Sequence, residues 1–257
     1  MGTDSDRRDH HVALQASESA ATSVGRGRRF GDRDRDRGGH RGRDRICDRH
    51  PRDDLDRSVE EVTGPDRRAV TIAGHTGDTT VARDGLSAPD ASVRAAALGA
   101  LERLGELTVN DLVTALADPD VGVRRRACEV AARHRDVDLV PALSDADARV
   151  VEVAAWACGE HESNRDAVVE TLIALASTAD DALVREAAVA SLGAIGDERA
   201  LPTIIAACSD KPAVRRRAVL ALAPFEGDDV DAAIDRALED RDWQVRQAAE
   251  DLRRAQS

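Results

Sequence analysis

Val184-Arg185-Glu186-Ala187-Ala188-Val189-Ala190-Ser191-Leu192-Gly193-Ala194-Ile195-Gly196 is the stretch whose reading decides the fold. Val184, Ala187, Ala188, Ser191, Leu192 and Ile195 fall on one face at helical spacing, and Gly196 supplies a stop. Small residues dominate that face, so whatever packs there comes close. Val93-Arg94-Ala95-Ala96-Ala97-Leu98-Gly99-Ala100-Leu101-Glu102-Arg103-Leu104-Gly105 is a near copy. Further runs start at Val123, Val214 and Val245, and a degraded one at Val150, so the starting valines are separated by 30, 27, 34, 30 and 31 residues. A period of about 30 is the signature of a stacked repeat array.

Each later unit has two helical parts. The apolar residues of the first part are Leu112, Val113 and Leu116; Val137, Leu139, Val140 and Leu143; Val168, Val169, Leu172, Ile173 and Leu175; Leu201, Ile204 and Ile205; then Val230, Ala233, Ile234 and Leu238. Thr108, Asp136, Asn164, Asp197 and Asp228 are the expected caps. The first unit has a poor first helix, Thr80 to Leu86, broken by Gly85, as expected of a terminal repeat. The reading is an all-α array of about six antiparallel helix pairs over 79–257, with units at 79–106, 108–134, 136–162, 164–196, 197–226 and 228–256.

Between the two helices lies a turn: Asp118-Pro119-Asp120 in one unit, Asp240-Arg241-Asp242 in the last, with Ala88-Pro89-Asp90, Asp145-Ala146-Asp147 and Ala179-Asp180-Asp181 between. The second acid stands three residues before the valine, where its carboxylate is expected to accept from the valine N–H. The fifth unit puts Lys211 there, followed by Pro212, and should be less well capped. An arginine follows the valine in five of six units: Arg94, Arg124, Arg185, Arg215 and Arg246. One guanidinium per repeat predicts a ladder, each group bridging turn carboxylates of its own unit and the next, broken where Val151 replaces the arginine.

The rest of the chain reads differently. Residues 1–60 have no apolar periodicity, and Gly31-Asp32-Arg33-Asp34-Arg35-Asp36-Arg37 alternates in charge, so this leader is expected to be disordered. It is either a tail that contacts an acidic partner, an inert extension, or the product of a start codon placed too far upstream. Residues 61–78 read as a linker in which Val70-Thr71-Ile72-Ala73 is a short strand or a helix edge. Through His75 the 16 arginines and 15 acids nearly balance, so most of the net charge of −12 lies in the repeats. Acids abound, Lys211 is the one lysine, and aromatics are 2%. That composition suits a salty cytoplasm and disfavours nucleic-acid or membrane partners. Arg28-Arg29-Phe30 lacks the apolar run of a twin-arginine export signal. Cys47, Cys128, Cys158 and Cys208 form no CxxC pair and read as small buried hydrophobes in a reducing compartment.

The Val-Arg-x-x-Ala helix start, the Asp-rich turn and the Gly stop together resemble HEAT repeats, most nearly the short HEAT-like type of phycobilisome lyase subunits, over 79–256. The resemblance implies a right-handed α-solenoid and a non-catalytic scaffold that binds a partner protein on its concave face. The alternative it carries is an enzyme or accessory subunit of the deoxyhypusine-hydroxylase or bilin-lyase kind. The former places four His-Glu pairs around two irons, whereas this chain has one pair, His161-Glu162, at a helix end where the histidine suits the C-terminal dipole. No catalytic, cofactor or metal residue is therefore expected. If the second helices line the concave side, Arg125, Arg126, Arg216 and Arg217 are free to meet an anionic patch on a partner. Trp243 in the last turn is a candidate anchor, and Trp156 is expected in the core.

Overall fold

The computed structural model describes residues 64–161 and 165–256. Among them every regular element is helical. The helices are α1 (Arg67–Thr76), α2 (Thr79–Asp84), α3 (Ala91–Leu104), α4 (Val109–Leu116), α5 (Val121–Ala131), α6 (Ala148–Gly159), α7 (Arg165–Thr178), α8 (Ala182–Ile195), α9 (Leu201–Ala207), α10 (Pro212–Ala221), α11 (Asp228–Leu238) and α12 (Trp243–Gln256). Helices α3, α5, α6, α8, α10 and α12 are the second helices of the six units, and each packs against the next in a row. The first helices form a second layer, and the core lies between the two.

The starting valines point into that core: Val123, Val184, Val214 and Val245 are all buried. The fourth residue after each is alanine, and Ala97, Ala127, Ala154, Ala188, Ala218 and Ala249 are fully buried. Close approach along the row follows from such small residues. A Cβ on Gly193 would lie 2.6 Å from the Ala221 backbone, and one on Gly159 would lie 3.2 Å from that of Ser191. The helices stop where the backbone turns left-handed, at Gly105 (φ 70°) and Gly196 (φ 68°), conformations glycine adopts at no steric cost.

The segment read as a linker contains α1. Asp66 caps it, Gly77 (φ 88°) ends it, and it packs against α3 as a second helix would. Its residues match those of α8: Ala69-Val70, Ala73-Gly74 and Gly77 stand in the spacing of Ala188-Val189, Leu192-Gly193 and Gly196. Like Gly193, Gly74 lies against the next second helix, 2.8 Å from Ala100 by the same measure. Val70-Thr71-Ile72-Ala73 is thus helical, and Ile72 is 48% exposed at a place that is buried in the later units.

The first helix of the third unit is shorter than its apolar residues suggest. Only a 3-10 turn, Val140–Ser144, forms there. Pro141 stands in the first turn, where proline is tolerated, and it is the 27-residue interval that leaves too few residues for an α-helix. The expected cap Asp136 gives way to Asp138, whose carboxylate accepts from Val140 N at 3.0 Å. Thr108 and Asp197 cap as expected, and Thr108 does so in a reciprocal box with Asp111. Asp228 is the first residue of α11, with Gly227 at the cap position, and Asn164 lies outside the described residues.

The turn acids cap the second helices one residue earlier than expected. Asp90, Asp147, Asp181 and Asp242 accept from Ser92, Arg149, Leu183 and Gln244, and only Asp120 also reaches its valine, Val123. An N-cap side chain reaches either the second or the third helical N–H, and here the nearer one wins. Lys211 makes no side-chain cap.

The arginines form a ladder whose near end differs from expectation. Arg94 grips the carboxylate of Asp118 in the next turn through Nε and Nη2, both at 2.8 Å. Its Nη1 donates to Ala88 O and Pro89 O, backbone carbonyls of its own turn, not to carboxylates there. Arg124 to Asp145, Arg185 to Asp210 and Arg215 to Asp240 repeat the forked pair, and Arg246 keeps the carbonyl bond to Asp240 O. The own-turn carbonyls point at the guanidinium because the turn closes around it, whereas the own-turn acid is occupied with the helix N-terminus. Val151 has no such reach, and the next turn carries Ala179 where the acceptor would stand.

Three predictions follow from this packing. Val151→Arg with Ala179→Asp should complete the ladder, with a favourable coupling of about 1 kcal/mol or more in a double-mutant cycle of denaturant unfolding. Asp118, Asp145, Asp210 and Asp240 are held below the usual carboxylate range, chiefly by the hydrogen bonds from their arginines. Their stabilisation is complete above an unfolded-state pKa of about 4 and is lost as pH falls through the lower folded values, so Asp210→Asn should flatten the acid limb of the stability profile. Burial pushes Cys128 and Cys158 up to about 12, so alkylation of the native protein followed by mass spectrometry should find both far slower than in the unfolded chain.

Candidate functional site

The second helices bury one side against the first helices and turn the other to solvent. Counting from each starting valine, the second and sixth residues lie one turn apart on the solvent side. The sixth residues are Gly99, Glu129, Trp156, Ala190, Leu220 and Asp251. Trp156 is 46% exposed, which corrects the expectation of a core position: helical register, not aromatic bulk, decides where it points. From Trp156 a mostly apolar strip crosses α8 and α10 through Ala190, Ala194, Leu220, Ala223 and Pro224, all half-buried or exposed. Charged residues bound it: Glu102, Arg103, Arg125, Glu129 and Arg133 on the units before, Asp251 and Arg254 on the unit after.

The arginines read as free contacts are mostly engaged. Arg126 lies 2.8 Å and Arg125 3.6 Å from Glu129 on the same helix, and Arg217 reaches Glu186 of the preceding second helix at 3.7 Å. Glutamates three or four residues away, or in the neighbouring unit, supply the partners that their own repeat register places beside them. Arg216 alone of the four forms no ion pair among the described residues. Arg125 and Arg126 thus sit together on α5, before the strip begins, and Arg216 and Arg217 on α10, which the strip crosses, so the two pairs lie on different second helices. Trp243, 64% exposed, opens α12 at the edge of the turns, away from the solvent side of the row.

The histidines of units two and three hold the array together. His161 is buried, and its Nε2 lies 2.8 Å from Ala131 O at the end of α5, so it serves the C-terminus of the preceding second helix, not its own. His134 Nε2 lies 2.6 Å from Glu102 of the unit before. Glu162 is outside the described residues. Among the described residues no group of three or more His, Cys, Asp or Glu side chains is arranged to hold a metal, and no helix is long and apolar enough to cross a membrane.

An open hollow of about 1120 Å³ lies between the first two units, floored by Leu86, Leu98, Ala115 and Val123. Four of its ionic groups pair with one another, Arg83 with Asp111 and Arg94 with Asp118, which leaves the exposed Asp84 as the remaining charge of its lining. The solvent side of the second helices is the better candidate site. Repeat register would have found Trp156 in the sequence, since it occupies the same place as Glu129 and Asp251.

No curated protein matches the chain. Among solved structures, a designed armadillo-repeat protein in complex with a (KR)4 peptide is similar at a TM-score of 0.52 and 19% identity, covering 68% of this chain and 97% of its own. Human deoxyhypusine hydroxylase aligns at a TM-score of 0.39 and 20% identity, covering 72% of this chain and 77% of its own. The family model for HEAT repeats matches residues 79–146, 137–223 and 169–252. With a period of about 30, paired helices and two-thirds of the sequence accounted for, the chain belongs to the HEAT-repeat family.

Proposed function

We propose that the array is a non-catalytic scaffold that holds a partner protein against the solvent side of its second helices. The observation that carries this reading is Trp156, a large aromatic side chain half open to water at one end of an apolar strip with a charged rim. An apolar centre with a polar border is the anatomy of protein interfaces, and tryptophan is enriched among the residues that dominate them. The row is the concave side on this reading, because its helices meet through glycine, alanine and serine while the first-helix layer carries Leu112, Leu172, Ile204 and Ile234. The peptide bound to the designed armadillo protein is an instance of such binding on a similar fold. A catalytic reading lacks comparable support, since both repeat histidines are engaged in joining units. The lysine-poor, acidic composition fits a salt-rich cytoplasm.

Site-specific photo-cross-linking tests the proposal. A photoreactive side chain at Ala190 or Leu220 should capture one discrete partner from the native source, and Trp156→Ala should abolish the capture while leaving the helical circular dichroism unchanged. Probes at Val113 and Ala174, on first helices, should not capture it. Equal capture from both layers, or capture indifferent to Trp156, would overturn the reading.

A further inference from the structure

Resting on that reading, we infer that Trp156 and Glu152 form a seat for one cationic side chain, an arginine or lysine, on the partner. Helix α6 carries Glu152, Trp156 and Glu160 at successive four-residue steps, so a carboxylate stands one turn to either side of the indole on the same face. Glu152 is half-buried, and among the described residues its carboxylate makes no ion pair or hydrogen bond. This distinguishes it from Glu129 and Glu186 in the neighbouring units, each of which already has an arginine. The third unit also lacks the ladder arginine, and the one basic residue of α6, Arg149, is turned to the capping carboxylate of Asp147. The middle of the row is therefore locally negative between two basic flanks, Arg125 and Arg126 on one side and Arg216 and Arg217 on the other.

A guanidinium or ammonium group lying against the 46% exposed Trp156 indole gains the attraction of the ring quadrupole, and Glu152 supplies the counter-charge one turn away. The next second helix offers Ala190 at the place of Trp156, so nothing bulky blocks the approach along the strip. An anionic side chain at the same spot would meet Glu152 unpaired and be repelled. The seat selects for charge as well as for apolar area, which the strip alone does not.

The test uses the full chain carrying Trp243→Phe, which leaves Trp156 as the one indole of the protein. Its emission is titrated with three capped alanine peptides that differ only at a central arginine, citrulline or glutamate. The arginine peptide should give a saturable change, with citrulline, of the same shape but uncharged, binding roughly three- to tenfold more weakly and glutamate weakest. Glu152→Gln should weaken the arginine peptide by a similar factor and leave the citrulline peptide unaffected. No saturable change with arginine, equal binding of arginine and citrulline, or indifference to Glu152→Gln would each overturn the seat. Capture at Ala190 and Leu220 in the cross-linking experiment would still stand in those cases, so the two readings fail separately.

Discussion

One alanine per unit sets the distance at which this protein holds together. Four residues after each starting valine the second helix carries no more than a methyl group, and all six of these methyls are fully buried. Anything larger at that place would prise the second helices from the first-helix layer. Because the methyl supplies little apolar area, each unit depends on its neighbours for cover, and cohesion is spread along the array as a sum of similar interfaces. The scarcity of aromatic residues follows from this geometry, since layers so thin have little room for rings.

The forked arginine pairs are fitted to that stacking. Each arginine closes its own turn through backbone carbonyls and then reaches forward to an aspartate of the next turn. Acceptor and donor are matched unit by unit. Where Val151 interrupts the arginines, Ala179 interrupts the aspartates, and where Asp66 occupies the arginine's place in α1, the following turn has Ala88. Among the described residues none of the ladder aspartates, Asp118, Asp145, Asp210 or Asp240, is left without its guanidinium, the arrangement that would cost most. The joint that lacks a pair is held differently: Ser191 Oγ donates to Ala155 O at 2.6 Å, and Gly159 lets the two helices close on each other.

Period, helix pairing, turn acids and the ladder were legible in the sequence because each recurs, and recurrence separates signal from accident. What was not legible stands outside the recurrence or depends on a neighbour. Helix α1 was hidden because its starting valine is Pro65 and its arginine is Asp66, although its two glycines keep the spacing of Gly193 and Gly196. The third first helix was over-read because apolar residues mark a buried segment without saying whether the short interval leaves room for an α-helix there. Trp156 was misplaced by a rule about residue type where register was decisive. The arginines beyond the ladder looked free because their glutamates, Glu129 and Glu186, come from the next turn or the neighbouring unit, a relation the linear sequence shows only after the units are aligned.

The forward reach of the ladder also constrains how the gene for such a chain can shorten. Excising the fifth unit by recombination would bring Arg185 against Asp240, and excising the third and fourth together would bring Arg124 against Asp210, so the grammar of donor and acceptor survives both events. Excising the fourth alone would leave Val151 facing Asp210, and excising the third alone would leave Arg124 facing Ala179. Valine and alanine there are therefore coupled across a unit boundary: donor and acceptor stay matched only when units three and four are removed or retained together.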